Sequence, residues 1–87
     1  MTVGLAVVLE ARPDGSGPQS AARLAVRVRG GRPPVRLYLY RDGDLLDVAA
    51  TREAYAFEAP PAQGRRHTLT VRAVDADGRW GGASTVL

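Results

Sequence analysis

From Ala22 to Arg29 the chain alternates without a break. Ala22, Leu24, Val26 and Val28 take one parity, and Arg23, Ala25, Arg27 and Arg29 take the other. Side chains on a strand point to opposite faces with a period of two, so this stretch predicts a strand with one buried and one wet face. The same period recurs along the chain. Val3, Leu5, Val7 and Leu9 share a face of a first strand over residues 2–11. In VRLYLYR, residues 35–41, Val35, Leu37 and Leu39 face inward, while Arg36, Tyr38 and Tyr40 face outward. LLDVAA continues as a short strand, and TREAYAFEA, residues 51–59, puts Tyr55 and Phe57 on one face. In HTLTVRAV, residues 67–74, His67, Leu69, Val71 and Ala73 point inward. Residues 79–87 return as a last strand, which Gly81 and Gly82 are expected to bend or bulge at its start.

The breaks have their own chemistry. ARPDGSGPQ (residues 11–19), GGRPP (30–34) and PPAQGRR (60–66) are Pro/Gly loops, and Asp42-Gly43 and Asp77-Gly78 are tight-turn pairs. No stretch keeps helical spacing without an interrupting turn residue. Seven short strands in a chain of 87 residues predict an all-β fold, an immunoglobulin-like two-sheet antiparallel sandwich of about seven strands. It forms one domain, residues 1–87, with Val26, Leu37 and Val71 at the centre of its core.

Three stretches, VRLYLYRDGDLLDVAA, TREAYAFEA and HTLTVRAVDADGRWGGAS, resemble a fibronectin type III module of the kind found in bacterial secreted proteins. The resemblance covers residues 35–84. It implies a sandwich that serves as a spacer or binding module. Two positions depart from that family's pattern. ARLAVRV lacks the tryptophan of the second strand, and His67 stands where the tyrosine corner would begin. The broader immunoglobulin-like sandwich is therefore the architecture expected.

Composition narrows the function. A chain of this size supports one core and leaves no room for a deep catalytic cavity. It has no cysteine, hence no disulfide and no thiolate site. All 12 basic residues are arginine, and they are spread among nine acids for a net charge of +3. Nucleic-acid binders cluster their cations, so this diffuse charge argues against that class. TVGLAVVLEA has no basic leader and is shorter than the ~20 apolar residues of a membrane helix, so no membrane insertion is expected. If Met1–Leu87 is a whole protein, the expected location is a virion or the cytoplasm. If it is an excised module, the location is extracellular.

Asp75-Ala76-Asp77-Gly78 has the look of half a metal site. A Ca²⁺ ion needs six to eight oxygens, and the other acidic pair, Asp42 and Asp44, belongs to a turn about 25 Å away at the opposite end. Asp and Gly are also what tight turns require, so this segment reads as a turn. His67 has no evident catalytic partner and reads as a loop-capping residue. Gly30-Gly31-Arg32-Pro33-Pro34 precedes no helix and so makes no phosphate cradle. No catalytic, metal or cofactor residue is assigned. Arg36, Tyr38 and Tyr40 share an outward face with Arg72 of the neighbouring strand, in a combination that enriches binding surfaces. Arg32 and Trp80 form a second candidate patch at a loop end, with Trp80 either part of that tip or a lid over the core.

The expected function is non-catalytic. One setting is a small protein that docks on a larger assembly, such as a virion decoration or surface protein. The other is an accessory spacer or binding module of a secreted bacterial enzyme or adhesin. A protein partner or larger assembly is favoured, and carbohydrate is the second partner class.

Overall fold

In the computed structural model, described for residues 5–13, 22–59 and 66–86, seven strands form two antiparallel sheets. The strands are β1 (Ala6–Pro13), β2 (Ala22–Arg29), β3 (Val35–Arg41), β4 (Asp44–Thr51), β5 (Ala54–Ala59), β6 (Thr68–Val74) and β7 (Trp80–Val86). One sheet has the order β1-β2-β5 and the other β4-β3-β6-β7. The chain changes sheet between β2 and β3, between β4 and β5, and between β5 and β6, as an immunoglobulin-like sandwich does. Val3 and the loop residues expected at 14–19 and 60–65 lie outside the described residues.

The inward parities meet in one core. Leu24, Val26 and Val28 of β2 and Phe57 of β5 pack against Val35, Leu37 and Leu39 of β3 and Leu69, Val71 and Ala73 of β6. Val26, Leu37 and Val71 are all at most 1% exposed, as their mid-strand positions require. Tyr55 shares its face of β5 with Phe57, and their rings meet edge to face at 4.9 Å, yet Tyr55 stays 40% exposed.

Three details differ from expectation. The first strand runs on to Pro13, with Ala11 opposite Leu24 and Pro13 opposite Ala22. It is an edge strand, where a proline's missing N–H leaves no ladder bond unmade on the open side. Gly81 and Gly82 do not bulge the last strand, because the β6–β7 register is continuous from Val74↔Trp80 to Thr68↔Val86. Gly81 is needed for another reason: a Cβ there would strike the backbone of Leu5. The irregularity lies instead in β4, where Leu39 pairs with Asp47 but Tyr40 with Leu45, leaving Leu46 as the extra residue.

The β3–β4 turn is as its sequence predicts. Asp42 and Gly43 have φ of 51° and 92° between the closing pair Arg41↔Asp44. Two positive φ values make the type I′ geometry that Asp-Gly favours.

Candidate binding face

The two acidic turns sit at opposite ends of the four-stranded sheet, and Asp42, Asp75 and Asp77 each have a structural task. Asp75 is buried. Its Oδ2 accepts the Arg32 amide at 3.0 Å, and its Oδ1 accepts the amides of Asp77 at 3.0 Å and Arg79 at 2.8 Å. The Ala76 amide bonds the Arg32 carbonyl at 2.8 Å, so the β2–β3 loop and the β6–β7 turn are tied as one unit. The Arg32 amide, followed by those of Arg79 and Asp77 and the Arg79 charge, holds the Asp75 carboxyl below its ordinary value. Asp77 takes the exposed guanidinium groups, Arg32 at 3.2 Å and Arg79 at 3.6 Å.

At the other end, Asp42 Oδ2 lies 2.6 Å from His67 Nδ1, and its Oδ1 accepts the Thr68 amide at 2.9 Å. His67 therefore joins the hairpin turn to the start of β6, a loop-capping position. The His67 bond, then the Thr68 amide, lowers the Asp42 carboxyl as well.

Both aspartates are lowered, so the sign is the same for each. Their contribution to stability is complete above the unfolded value near 3.8 and is lost as pH falls through the lower folded value. Asp75→Ala leaves three amides without their acceptor. It should lower Tm by about 5–10 °C at pH 7. The gap to wild type should shrink in acid, as pH falls below 3.8 and then through the lowered native value, where the native carboxyl becomes protonated. Calorimetric melts of both proteins at pH 7 and across the acid range check this, and a gap that widened in acid would contradict it.

Between these ends the outward positions of the four-stranded sheet line up in rows. Arg36 lies opposite Val74, and Val74 opposite Trp80. Tyr38 lies opposite Arg72 and Arg72 opposite Gly82; Tyr40 lies opposite Thr70 and Thr70 opposite Ser84. Arg36, Tyr38, Tyr40 and Arg72 thus share one surface. Val48 and Leu45 extend it across β4, where both are exposed.

Trp80 belongs to this face. It is the first residue of β7, is 69% exposed, and lines a depression of about 430 Å³ with Tyr38, Tyr40, Arg72 and Val74. So exposed, it does not lid the core, and the Arg32 side chain of the second candidate patch is bonded to Asp77 at the turn. Its face follows from the register: the five residues Asp75–Arg79 link Val74 to its partner Trp80, so Trp80 shares the outward face of Arg72 and Val74.

Smaller depressions adjoin it on both sides. One of about 280 Å³ is lined by Pro34, Arg36, Tyr38, Val74, Asp75 and Ala76. The other, about 290 Å³, is lined by Tyr40, Gly43, Thr70 and Arg72.

The opposite sheet has a broader depression of about 600 Å³, floored by Ala25, Ala54 and Ala56 and rimmed by Glu10, Arg27 and Arg29. Tyr55, which has the inward parity of Phe57, borders this depression too, and Glu10 and Glu58 bring acids among the arginines, with Glu58 opposite Arg23. Among the described residues no group of three or more His, Asp or Glu side chains gathers at metal-binding distance.

Compared with known sequences, residues 8–84 match the Penicillin-Binding Protein C-terminus Family. No curated protein and no solved structure matches the chain. The sandwich expected from the fibronectin resemblance stands, but the family matched is a different one. With nearly its whole length within the match, the chain belongs to the penicillin-binding protein C-terminus family.

Proposed function

We propose that this domain is a non-catalytic accessory module of a penicillin-binding protein and that it binds its partner through the outer face of the four-stranded sheet. The family assignment supports the accessory-module setting over that of a free-standing docking protein. The observation that carries the choice of face is the grouping of Tyr38, Tyr40 and Trp80 around Arg72 on one open surface. Rigid aromatics and a planar guanidinium lose little entropy on binding and make good anchors. The other sheet mixes both signs of charge around a floor of alanines, which offers little to grip. Arg32 and the turn end are occupied with each other, which supports a scaffold role there.

Co-sedimentation of the domain with isolated bacterial cell envelopes tests this reading. Tyr38→Ala and Trp80→Ala should each weaken retention by about tenfold, equivalent to ~1–2 kcal/mol, and leave the circular dichroism unchanged. Arg27→Ala, on the far sheet, should change it little. Retention that survives both aromatic changes and fails with Arg27→Ala would move the site to the other face.

A further inference from the structure

We infer that the ligand of this face is a linear, carboxylate-bearing glycan laid along β3 and β6. The inference rests on the proposed docking face and specifies its occupant. Three depressions follow one another along β3 and share walls. Tyr38 stands between the first and second, and Tyr40 with Arg72 between the second and third. The row runs from Pro34 to Gly43, roughly 30 Å at the rise of a strand. A compact ligand needs one enclosing pocket. An open row of shallow, connected hollows suits an extended chain of repeating units instead.

The lining chemistry selects the repeat. Tyr38, Tyr40 and Trp80 together line the middle hollow, and Tyr38 and Tyr40 also border its two neighbours. The C–H face of a pyranose is apolar and its rim is polar, so it stacks on an aromatic ring while its hydroxyls reach sideways. The polar groups are there to meet them. Arg72 borders two of the hollows, Arg36 the third, and the hydroxyls of Thr70 and Ser84 are paired at 2.8 Å beside the row. Gly82, opposite Arg72, removes a side chain from that row and leaves the guanidinium open on the β7 side.

Charge selects the acid. The strand pairings fix which positions of β3, β4, β6 and β7 face outward on this surface. They include two arginines and no carboxylate. The aspartates at the two ends, Asp75 and Asp42, are engaged by backbone amides and His67. Arginine presents a planar fork that matches a carboxylate in bidentate fashion. A peptide added as a β-strand fits less well, because it needs a free edge, and β3 and β6 are both interior strands whose main-chain bonds are taken on each side.

The experiment is a calorimetric titration of the domain, paralleled by amide chemical-shift mapping, with three probes: hexagalacturonate, chitohexaose and a glutamate-rich peptide. The acidic glycan should bind about tenfold or more tightly than the neutral one and shift amides of β3 and β6. Arg72→Gln should erase that preference, whereas Trp80→Ala should weaken both glycans by about tenfold. Equal affinity for the two glycans, binding of the peptide alone, or no glycan binding at millimolar concentration would each overturn the inference. If envelope retention still depends on Tyr38 and Trp80 in any of those cases, the docking face stands and only its ligand is wrong. Shifts confined to Ala25, Ala54 and Ala56 would remove both.

Discussion

Leu37→Ala should cost this domain ~2–5 kcal/mol, towards the upper end of that range. Leu37 has no exposed surface and lies on β3, one of the two interior strands of the larger sheet. Its cross-strand neighbours are Ala49 on β4 and Ala73 on β6. Neither carries side-chain bulk that could move into the space left by a lost isobutyl group, so the cavity would persist. A domain of 87 residues has a total stability of roughly 5–8 kcal/mol, so the change should remove about half of it or more. Arg36→Ala, one residue away on the outward face, should cost under ~1 kcal/mol. Urea unfolding of both variants gives the comparison directly. A larger loss from Arg36 than from Leu37 would mean that β3 is out of register by one, since a one-residue slip exchanges its faces.

Gly81→Ala is the second large effect, expected at ~1–3 kcal/mol from overpacking. Here the added methyl meets backbone and not a side chain that can swing away, because the carbonyl of Leu5 passes over Gly81. The side chain of Leu5 in turn rests where a Cβ on Gly31 would sit. Leu5 is buried, and the segment it opens, β1, packs against β7 along this side of the sandwich. Admitting the methyl requires β1 to lift from β7, opening the seam between the two sheets. Gly82→Ala is the control. Its Cβ would lie 3.1 Å from the Val71 carbonyl oxygen and 3.8 Å from Arg72 Cγ, a contact that a few tenths of an ångström relieve. Hydrogen exchange should show faster exchange of β1 amides in Gly81→Ala than in Gly82→Ala. Equal exchange in the two would refute the seam account.

These neighbouring glycines look alike in the chain and have different tasks in the fold. A Gly-Gly pair at the start of a strand suggests a bulge, yet the strand is regular, and one of the pair exists for a residue 76 positions earlier. Trp80 is similar. Just after a turn, the tryptophan reads as a loop residue until its pairing with Val74 assigns it a face. The bulge at Leu46 had no signal, because LLDVAA alternates too weakly to reveal an extra residue.

What the sequence by itself determined is everything governed by the period of two and by the local demands of turns. Leu24, Val26 and Val28, Leu37 and Leu39, and Leu69, Val71 and Ala73 alternate with polar or small neighbours, so their burial was legible without any partner strand. Asp42-Gly43 announced its own turn because only such residues accept two successive positive φ values at low cost. The tertiary structure alone decided which outward residues become neighbours. Tyr38 and Arg72 are 34 positions apart, and Trp80 reaches their surface only through the register of β6 against β7. Asp75 captures the Arg32 amide from 43 positions away only because the sandwich brings two loops to one end. Parity is a property of each strand by itself, whereas a binding face is a property of four strands held in one register, and that register is set by packing across the whole core.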